Sequence, residues 1–430
     1  MGIIGNDKQA REAAVAIDQI GQALSSEQVL KAIVEGLPRE VIEGVRRSLA
    51  AERNELAGLL DAYSDAKAGK PELLIQRAGS DPGSLMVVAR IVRGWSQKEL
   101  ARRVFLPEQQ IQRYEAERYK SISLNNLLRI ARVLGVRLTA DMPGQLKEQW
   151  LPSYEMSQAD AQKVLKHARQ HGWLDRADQS DENGLSQLKR TVAEHVAQHG
   201  TPSLLRTGLN VEDYADDWLL LAWKAQVTRQ AVLVIQKKKP KYRPLEVSWM
   251  KELVQVSSEE NGPILAKNIL EEHGIILIIE QQIAGMKIDG AAFLVDDIPV
   301  IGMTIRHDRL DNFWFTLMHE LGHVILHYRT GLSSGFFDDT ENKSLDEMEE
   351  EADKFAENLL IPEELWVRSP ARITKTPEPV EKLAKQLGIS PAIIFGRIRM
   401  ERKNYALFSN KIGKDKVRKL LLPTPLEEAI

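Results

Sequence analysis

The sequence predicts a multidomain protein that is mainly α-helical and carries a smaller α+β part. A chain of 430 residues exceeds the length at which one hydrophobic core stops growing, so two or three domains are expected. Apolar residues recur at helical spacing through most of the first half, with charged residues between them. From about residue 247 onward, short apolar runs bounded by turn residues alternate with helical segments, which is typical of an α+β domain.

Composition and charge exclude several classes of protein. The chain has 43% apolar and 28% charged residues, a formal net charge of −3 and no cysteine. Without cysteine there are no disulfides and no thiolate metal ligands, so we expect a reducing, cytoplasmic setting. The longest apolar runs, such as IILII at 275–279, are too short to cross a membrane. Because the net charge is small, any nucleic-acid binding requires a local basic patch.

The N-terminal, linking and C-terminal parts of the chain are assigned from the spacing of their apolar and polar residues. Residues 1–80 contain VIEGVRRSLAAERNELAGLLDAY, whose apolar positions repeat at helical spacing, so we predict a helical hairpin used for packing or dimerisation. Residues 143–246 are mostly polar and end in DDWLLLAWKAQVTRQAVLVIQ, and we assign them to a helical connector. Residues 406–430 are assigned to a C-terminal tail.

The segment FTLMHELGHVILHY at 315–328 contains two histidines with the spacing of metal ligands. His319 and His323 stand at positions i and i+4 of a predicted helix, so both imidazoles lie on one face. Glu320 projects to the side, where a glutamate can hold a water molecule and accept its proton. This pattern predicts one zinc ion per chain. Gly322 costs stability inside a helix, so we expect it to mark a close approach to a neighbouring element.

A catalytic zinc normally has three protein ligands. His327 lies on the same face, but eight residues of helix rise about 12 Å, too far for one ion to join it to His319. A later helix, EEEADKFAENLLIP, offers carboxylates, and Glu351 shares a face with apolar residues of that helix. A carboxylate in line with core residues is costly to bury unless it is paired or binds a metal. We therefore predict Glu351 as the third ligand, with Glu347 one turn earlier as the alternative.

The sequence segments around this motif extend the pattern well beyond five residues. GAAFLVDDIPVIGM, DNFWFTLMHELGHVILH, EEEADKFAENLLIP and LAKQLGISPAIIFGRI follow in an order that resembles the ImmA/IrrE metallopeptidases. The resemblance implies a compact zincin-like fold with a small β-sheet over 247–405. It also implies a strand beside the cleft, 299–304, that pairs with an extended peptide substrate. The residues that it implies for the centre are Glu320 as general base and His319, His323 and Glu351 as zinc ligands.

An earlier segment, 85–138, resembles the XRE (lambda-repressor-like) helix-turn-helix family. WSQKELARRV, LPEQQIQRYE and SLNNLLRIARVLGVRL carry the resemblance, which implies a five-helix DNA-binding domain, assigned to 81–142. The segment holds eleven basic and four acidic residues, a net charge of +7, and so supplies a local basic patch. Ser96 is expected to cap the second helix, and Glu99 to complete a capping box.

In this family geometry the start of the third helix enters the major groove. Ile111 and Tyr114 are expected to face the core. Three residues at the start of that helix are expected to meet base edges: Glu108, Gln109 and Gln110. Three others are expected to contact phosphates: Gln97, Lys98 and Arg113.

Two functions accommodate both motifs. In the first, a DNA-binding transcriptional regulator binds a double-stranded operator as a homodimer, and its zinc-dependent endopeptidase cleaves a regulatory protein such as a repressor. In the alternative, the chain is an antitoxin-like repressor of a toxin–antitoxin module, and its peptidase-like domain is a non-catalytic binding or sensing module. The presence of Glu320 favours the enzyme, because a binding module has no need of a general base. Neither function involves a membrane.

Overall fold

The computed structural model describes residues 3–422 apart from 80, 120–121, 139–155, 175–179, 200–217, 329–331 and 333–344. In this part of the chain helices dominate and one small three-stranded sheet is present, which confirms the predicted fold class. None of the helices in these residues combines the length and the apolar composition that crossing a membrane requires. The chain divides into two compact units, which are described separately.

The first unit comprises residues 1–30 and 49–147. Helices α2 and α3 cross its limits, because residues 31–48 belong to the second unit. The predicted segment 1–80 therefore contributes to both units, and the predicted domain limits stay predictions. The helices are α1 (Asp7–Ser25), α2 (Glu27–Ile33), α3 (Arg39–Lys67), α4 (Glu72–Ala78), α5 (Pro82–Val92), α6 (Gln97–Arg103), α7 (Glu108–Ala116) and α8 (Leu124–Leu134).

Helices α5 to α8 form the four described helices of the predicted five-helix domain. Ile111 and Tyr114 are buried between them, as predicted. Ser96 caps α6, since its Oγ accepts a hydrogen bond from the Glu99 backbone N–H at 3.1 Å. The expected capping box is only half formed, because the Glu99 carboxylate pairs with Arg103 at 2.9 Å.

The second unit comprises residues 31–48 and 148–430. Its strands are β1 (Ile276–Ile279), β2 (Gly290–Val295) and β3 (Ile298–Met303). Its helices beyond α3 are α9 (Gln158–Gln170), α10 (Asp181–His199), α11 (Trp218–Lys238), α12 (Met250–Gln255), α13 (Gly262–Glu272), α14 (Leu310–His327), α15 (Leu345–Leu360), α16 (Glu363–Arg368), α17 (Glu378–Leu387), α18 (Pro391–Glu401) and α19 (Val417–Leu421).

The sheet has the order β1-β3-β2, with β1 parallel and β2 antiparallel to β3. The hairpin between β2 and β3 turns at Asp296 and Asp297, both with positive φ, as a two-residue hairpin turn requires. Strand β3 is hydrogen-bonded on both sides, so it has no edge for a peptide. This corrects the expectation that residues 299–304 pair with a substrate; the edge strand of that hairpin is β2.

Two helices cover opposite faces of the sheet. Gly302 in β3 is opposite Ala291 in β2, so Gly290, next along β2, presents the other face. A Cβ at Gly302 would lie 2.8 Å from the ring of Trp223 in α11. A Cβ at Gly290 would lie 2.7 Å from Oε1 of Glu320 in α14. The sheet therefore separates α11 from α14.

The segment predicted as a connector is part of the core of the second unit. Residues of α9, α10 and α11 share a hydrophobic core with all three strands. The Trp223 side chain is fully buried, and its Nε1 donates a hydrogen bond to the Glu280 backbone oxygen at 2.9 Å. The first half of α11 is buried on all sides, which its continuous apolar run explains, because a helix without a polar face belongs inside a core.

Part of the predicted C-terminal tail packs beside the start of α14. The Leu310 backbone N–H donates to the oxygens of Ile412 and Gly413, at 3.1 Å each. Asp308 Oδ1 accepts hydrogen bonds from the backbone N–H groups of Val417 and Arg418 at the start of α19. Residues 423–430 of the predicted tail lie outside the described residues.

Candidate metal centre and nucleic-acid interface

Helix α14 is buried along most of its length and carries the histidine motif. Its apolar side chains, among them Trp314, Leu317 and Leu321, are fully buried. A Cβ at Gly322 would lie 3.2 Å from Cα of Ala352 in α15. The glycine therefore marks a close approach between α14 and α15, as predicted. This approach brings carboxylates of α15 within reach of the histidines.

Three side chains meet at one point between α14 and α15. The Nε2 atoms of His319 and His323 are 3.1 Å apart. Glu349 places Oε2 at 3.3 Å from His319 Nε2 and Oε1 at 3.3 Å from His323 Nε2. Ligand atoms around a tetrahedral zinc ion with bonds of about 2.1 Å lie roughly 3.4 Å apart. The spacing and the donor set, two imidazoles and one carboxylate, therefore fit a zinc ion.

The protonation states at this point suit a metal. His319 and His323 are fully buried. Burial lowers the pKa of His323 to about 4, against the opposing effect of the Glu349 carboxylate. Burial disfavours ionisation of Glu349, but its hydrogen bonds with the two histidines outweigh this and hold its pKa well below the usual range. Neutral imidazole and ionised carboxylate are the forms that bind metal ions.

Glu351 does not reach the two histidines. Its Oε2 lies 3.0 Å from Nε2 of His327 instead, and the carboxylate beside His319 and His323 belongs to Glu349. The alternative, Glu347, is exposed. The structure thus corrects the expectation for Glu351 and brings Glu349 to that place.

Helical geometry explains why Glu349, and not Glu351, lies beside the two histidines. Ala352 lies at the centre of the buried face of α15. At about 100° per residue, Glu349 lies about 60° to one side of Ala352 and Glu351 about 100° to the other. Both glutamates border the buried face, so the apolar pattern alone does not distinguish them. The border that carries Glu349 is the one that faces the histidines.

Neighbouring side chains hold the second nitrogen of each imidazole. Asp353 Oδ1 lies 2.8 Å from His319 Nδ1, and His327 Nδ1 lies 3.2 Å from His323 Nδ1. Such contacts fix the orientation of a metal-binding histidine and the proton on its ring. Asp353 was not predicted from the sequence. Its position four residues after Glu349, on the same border of α15, is the signal that identifies it.

Glu320 lies beside the start of the edge strand β2. Its side chain is 1% exposed, and Gly290 leaves the room that its carboxylate occupies. A Cβ at position 290 would also lie 3.0 Å from Cγ2 of Thr316. Gly290 therefore sets the space beside Glu320, a role that was not predicted from the sequence. The Glu320 carboxylate and the start of the edge strand are therefore adjacent.

The predicted DNA-contacting residues lie on α6 and α7 in the first unit. Lys98, Glu108, Gln109 and Arg113 are exposed, whereas Gln97 and Gln110 are partly buried. Gln110 donates a hydrogen bond to the Tyr114 hydroxyl at 2.6 Å, so its amide is anchored within α7.

A buried ion pair joins α5 to α7. Arg90 binds Glu115 through two hydrogen bonds of 2.6 and 2.7 Å, and both side chains are less than 5% exposed. Gln97 donates to the same carboxylate at 2.9 Å. The Arg90 charge, counted above with the basic patch, is thus neutralised inside the domain. The exposed patch rests on the other basic residues.

Two family models match the chain. Residues 270–399 match a peptidase family described as IrrE N-terminal-like domain, and residues 89–140 match one described as Helix-turn-helix. Both matches fall inside the predicted segments, 247–405 and 81–142, in the predicted order. No curated protein and no solved structure matches the chain significantly. The two matches confirm both resemblances: one segment of the chain is similar to helix-turn-helix domains and a later one to this peptidase family.

Proposed function

We propose that this protein is a DNA-binding transcriptional regulator whose zinc-dependent endopeptidase centre cleaves a regulatory protein. The observation that carries the proposal is the meeting of His319, His323 and Glu349 within 3.3 Å of one another. Glu320 belongs to the same helix and is buried beside the edge strand β2. The helix-turn-helix match supports the DNA-binding half of the proposal.

The residues of the centre have separate tasks. His319, His323 and Glu349 would hold the zinc ion, which would supply Lewis acidity toward a peptide carbonyl. Glu320 accepts a proton from the attacking water and passes it to the leaving amine. Asp353 and His327 orient the two imidazoles.

Substrate binding is assigned to the edge of the sheet. Strand β2 is paired with β3 on one side only in the described sheet, and it begins beside the Glu320 carboxylate. An extended peptide that adds to such an edge gains main-chain hydrogen bonds. A segment bound along β2 would pass beside Glu320, where cleavage is proposed.

DNA binding is assigned to the exposed residues of α6 and α7, with a double-stranded operator bound by a homodimer. Glu108 and Gln109 are exposed at the start of α7, the part of a helix-turn-helix that meets base edges. Arg113 and Lys98 are exposed as well and supply charge for phosphates. Gln97, whose amide binds Glu115, is proposed to position α6 against the backbone.

Replacement of Glu320 by glutamine tests the enzymatic half. Wild-type protein loaded with zinc is incubated with fluorescein-labelled casein and, in parallel, with a cell lysate whose new amino termini are mapped by mass spectrometry. We expect cleavage by the wild type and loss of cleavage in Glu320→Gln at unchanged zinc content. Glu350→Gln is the matched control, because Glu350 is an exposed glutamate paired with Lys354. Zinc binding with identical termini in wild type and Glu320→Gln would instead support the antitoxin-like repressor with a non-catalytic module.

A further inference from the structure

A second cluster of metal-binding side chains lies in the second unit, outside the centre on α14 and α15. His167 belongs to α9, His171 follows the last residue of that helix, and Glu280 follows β1. One ligand atom from each lies within 4.8 Å of the others. The two histidines have the same i, i+4 spacing as His319 and His323, so their imidazoles lie on one side of α9.

His167 presents a buried nitrogen toward Glu280. Its side chain is 6% exposed, and its Nε2 has no hydrogen-bond partner among the described residues. Glu280 Oε1 lies 3.9 Å away, which is too long for a hydrogen bond. A buried polar atom without a partner destabilises the folded state, so the arrangement calls for an occupant between the two groups. Ligand atoms across a zinc ion are separated by roughly 3.4 Å, close to the distance observed.

The carboxylate and the ring are already held in place. Glu280 is 6% exposed, and its Oε2 accepts a hydrogen bond from Nε2 of Gln230 in α11. Its backbone oxygen accepts from Trp223. The His167 ring packs edge-on against Trp173, with ring centroids 4.8 Å apart. Gln230 of α11 therefore fixes one carboxylate oxygen of Glu280, while the other oxygen is turned toward His167. Hydrogen bonds from neighbouring side chains orient metal-binding carboxylates in the same way.

We propose that His167, His171 and Glu280 form a second metal site, which binds a divalent cation of the zinc class and joins α9 to the end of β1. Two imidazoles and one carboxylate suit zinc, cobalt or nickel, whereas calcium and magnesium prefer oxygen ligands alone. His171 is only partly buried, so the site has access to solvent and the ion is exchangeable. The site shares no residue with the proposed peptidase centre and does not depend on its activity.

The protonation of His171 is compatible with this assignment. Burial lowers its pKa, the neighbouring His167 lowers it further, and Glu280 acts in the opposite direction. A neutral imidazole is the form that coordinates a metal ion.

Zinc stoichiometry of the full-length protein tests the proposal. Protein is stripped with a chelator, reloaded with zinc, dialysed and analysed by atomic emission, and folding is checked by circular dichroism. The variants are His171→Ala, Glu280→Gln as a near-isosteric replacement, and His319→Ala/His323→Ala. His273→Ala is the control, because His273 is another partly buried histidine of this unit, stacked on Trp249.

We expect about two zinc ions in the wild type and in His273→Ala, and about one in His171→Ala, in Glu280→Gln and in His319→Ala/His323→Ala. Combining His171→Ala with the double variant removes both. In the double variant, cobalt titration should still give the absorption bands of a nitrogen- and oxygen-liganded ion, and His171→Ala should abolish them. The proposal is overturned if the double variant binds no zinc or if folded Glu280→Gln and His171→Ala keep the wild-type stoichiometry. Zinc lost only in His171→Ala and Glu280→Gln would uphold this site and refute the peptidase centre.

Discussion

Asp353 Oδ1 lies 2.8 Å from Nδ1 of His319, on the edge of the ring opposite the one that faces Glu349. This contact directs the His319 Nε2 lone pair to the point shared with His323. Asp353 thus connects α15 to the centre a second time, one helical turn after Glu349.

Asp353→Ala should weaken zinc binding about 10- to 100-fold, because the imidazole of His319 loses its fixed orientation. Competition with a chromogenic zinc chelator measures the change. The side chain is 45% exposed, so we expect the variant to fold. Glu350→Ala, on the exposed side of the same helix, should bind zinc as the wild type does. Equal affinity in Asp353→Ala would show that the contact has no role in metal binding.

Glu349→Gln and Glu351→Gln separate the two candidate third ligands. Glutamine keeps the size of the side chain but removes the charge that a zinc ligand needs. Since Glu349 lies at 3.3 Å from both histidines and Glu351 contacts His327, only Glu349→Gln should lose the zinc ion of this centre. Metal analysis after dialysis decides, and the reverse result would restore Glu351 as the ligand.

Gly290→Ala should lower the rate of peptide cleavage while zinc content stays unchanged. The added methyl group would meet Oε1 of Glu320 at 2.7 Å and Thr316 at 3.0 Å, so the carboxylate has to move away from its place beside β2. A displaced catalytic group can reduce the rate about 100-fold. Ala291→Gly, the neighbouring change that removes a methyl group from the opposite face, serves as the control. An unaltered rate in Gly290→Ala would contradict this role.

Arg113→Ala should weaken DNA binding and reduce the slope of log affinity against log salt by about 1, because one phosphate contact is lost. Fluorescence anisotropy at several salt concentrations gives the slope. Arg129→Ala is the matched control, since Arg129 is an exposed arginine of the same segment on α8 and was not assigned to DNA. Equal effects of the two variants would indicate a response to net charge alone.

Lys224→Met should stabilise the second unit at neutral pH. Burial lowers the pKa of Lys224 to about 8, and its ammonium lies over the Phe293 ring at 5.0 Å. Below pH 8 both the folded and the unfolded chain carry this proton, and the folded state bears the cost of burying the charge. We expect a gain in the free energy of unfolding on the order of 1–3 kcal/mol at pH 7.

The pH dependence has a definite sign. Between the lowered pKa of about 8 and the ordinary value of 10.5, the unfolded state binds more protons, so wild-type stability rises with pH. The advantage of Lys224→Met should therefore shrink from pH 7 to pH 10 in urea denaturation. Lys237→Met, an exposed lysine of the same helix, should show no such trend. A constant advantage would contradict a buried, charged Lys224.

Local periodicity was sufficient for part of the centre. The positions of His319 and His323 follow from helical spacing within one element, and so does the cap at Ser96. The choice between Glu349 and Glu351 requires knowing which border of α15 faces α14. That orientation depends on packing around Gly322 and Ala352, which no pattern within α15 encodes.

Strand order could not be predicted from local periodicity either, because it also depends on contacts between distant residues. Strands β2 and β3 are recognisable from their apolar runs and the turn at 296–297. Which of them lies at the edge depends on the pairing of β1 with β3, a contact between distant parts of the sequence. The buried Arg90–Glu115 pair likewise joins α5 to α7 through two residues 25 positions apart. Charge counting treated both residues as surface groups.

The packing of Trp223 and Val227 against Gly302 makes α11 part of the structure that the sheet needs to fold. The family match begins at residue 270, yet one face of its sheet is covered by a helix that precedes it. A fragment that begins at residue 247 lacks α11 and would expose that face to water. Loss of a buried tryptophan alone costs about 3–5 kcal/mol. Truncation there would thus leave an apolar, aggregation-prone surface, so α11 belongs to the same folding unit as the sheet.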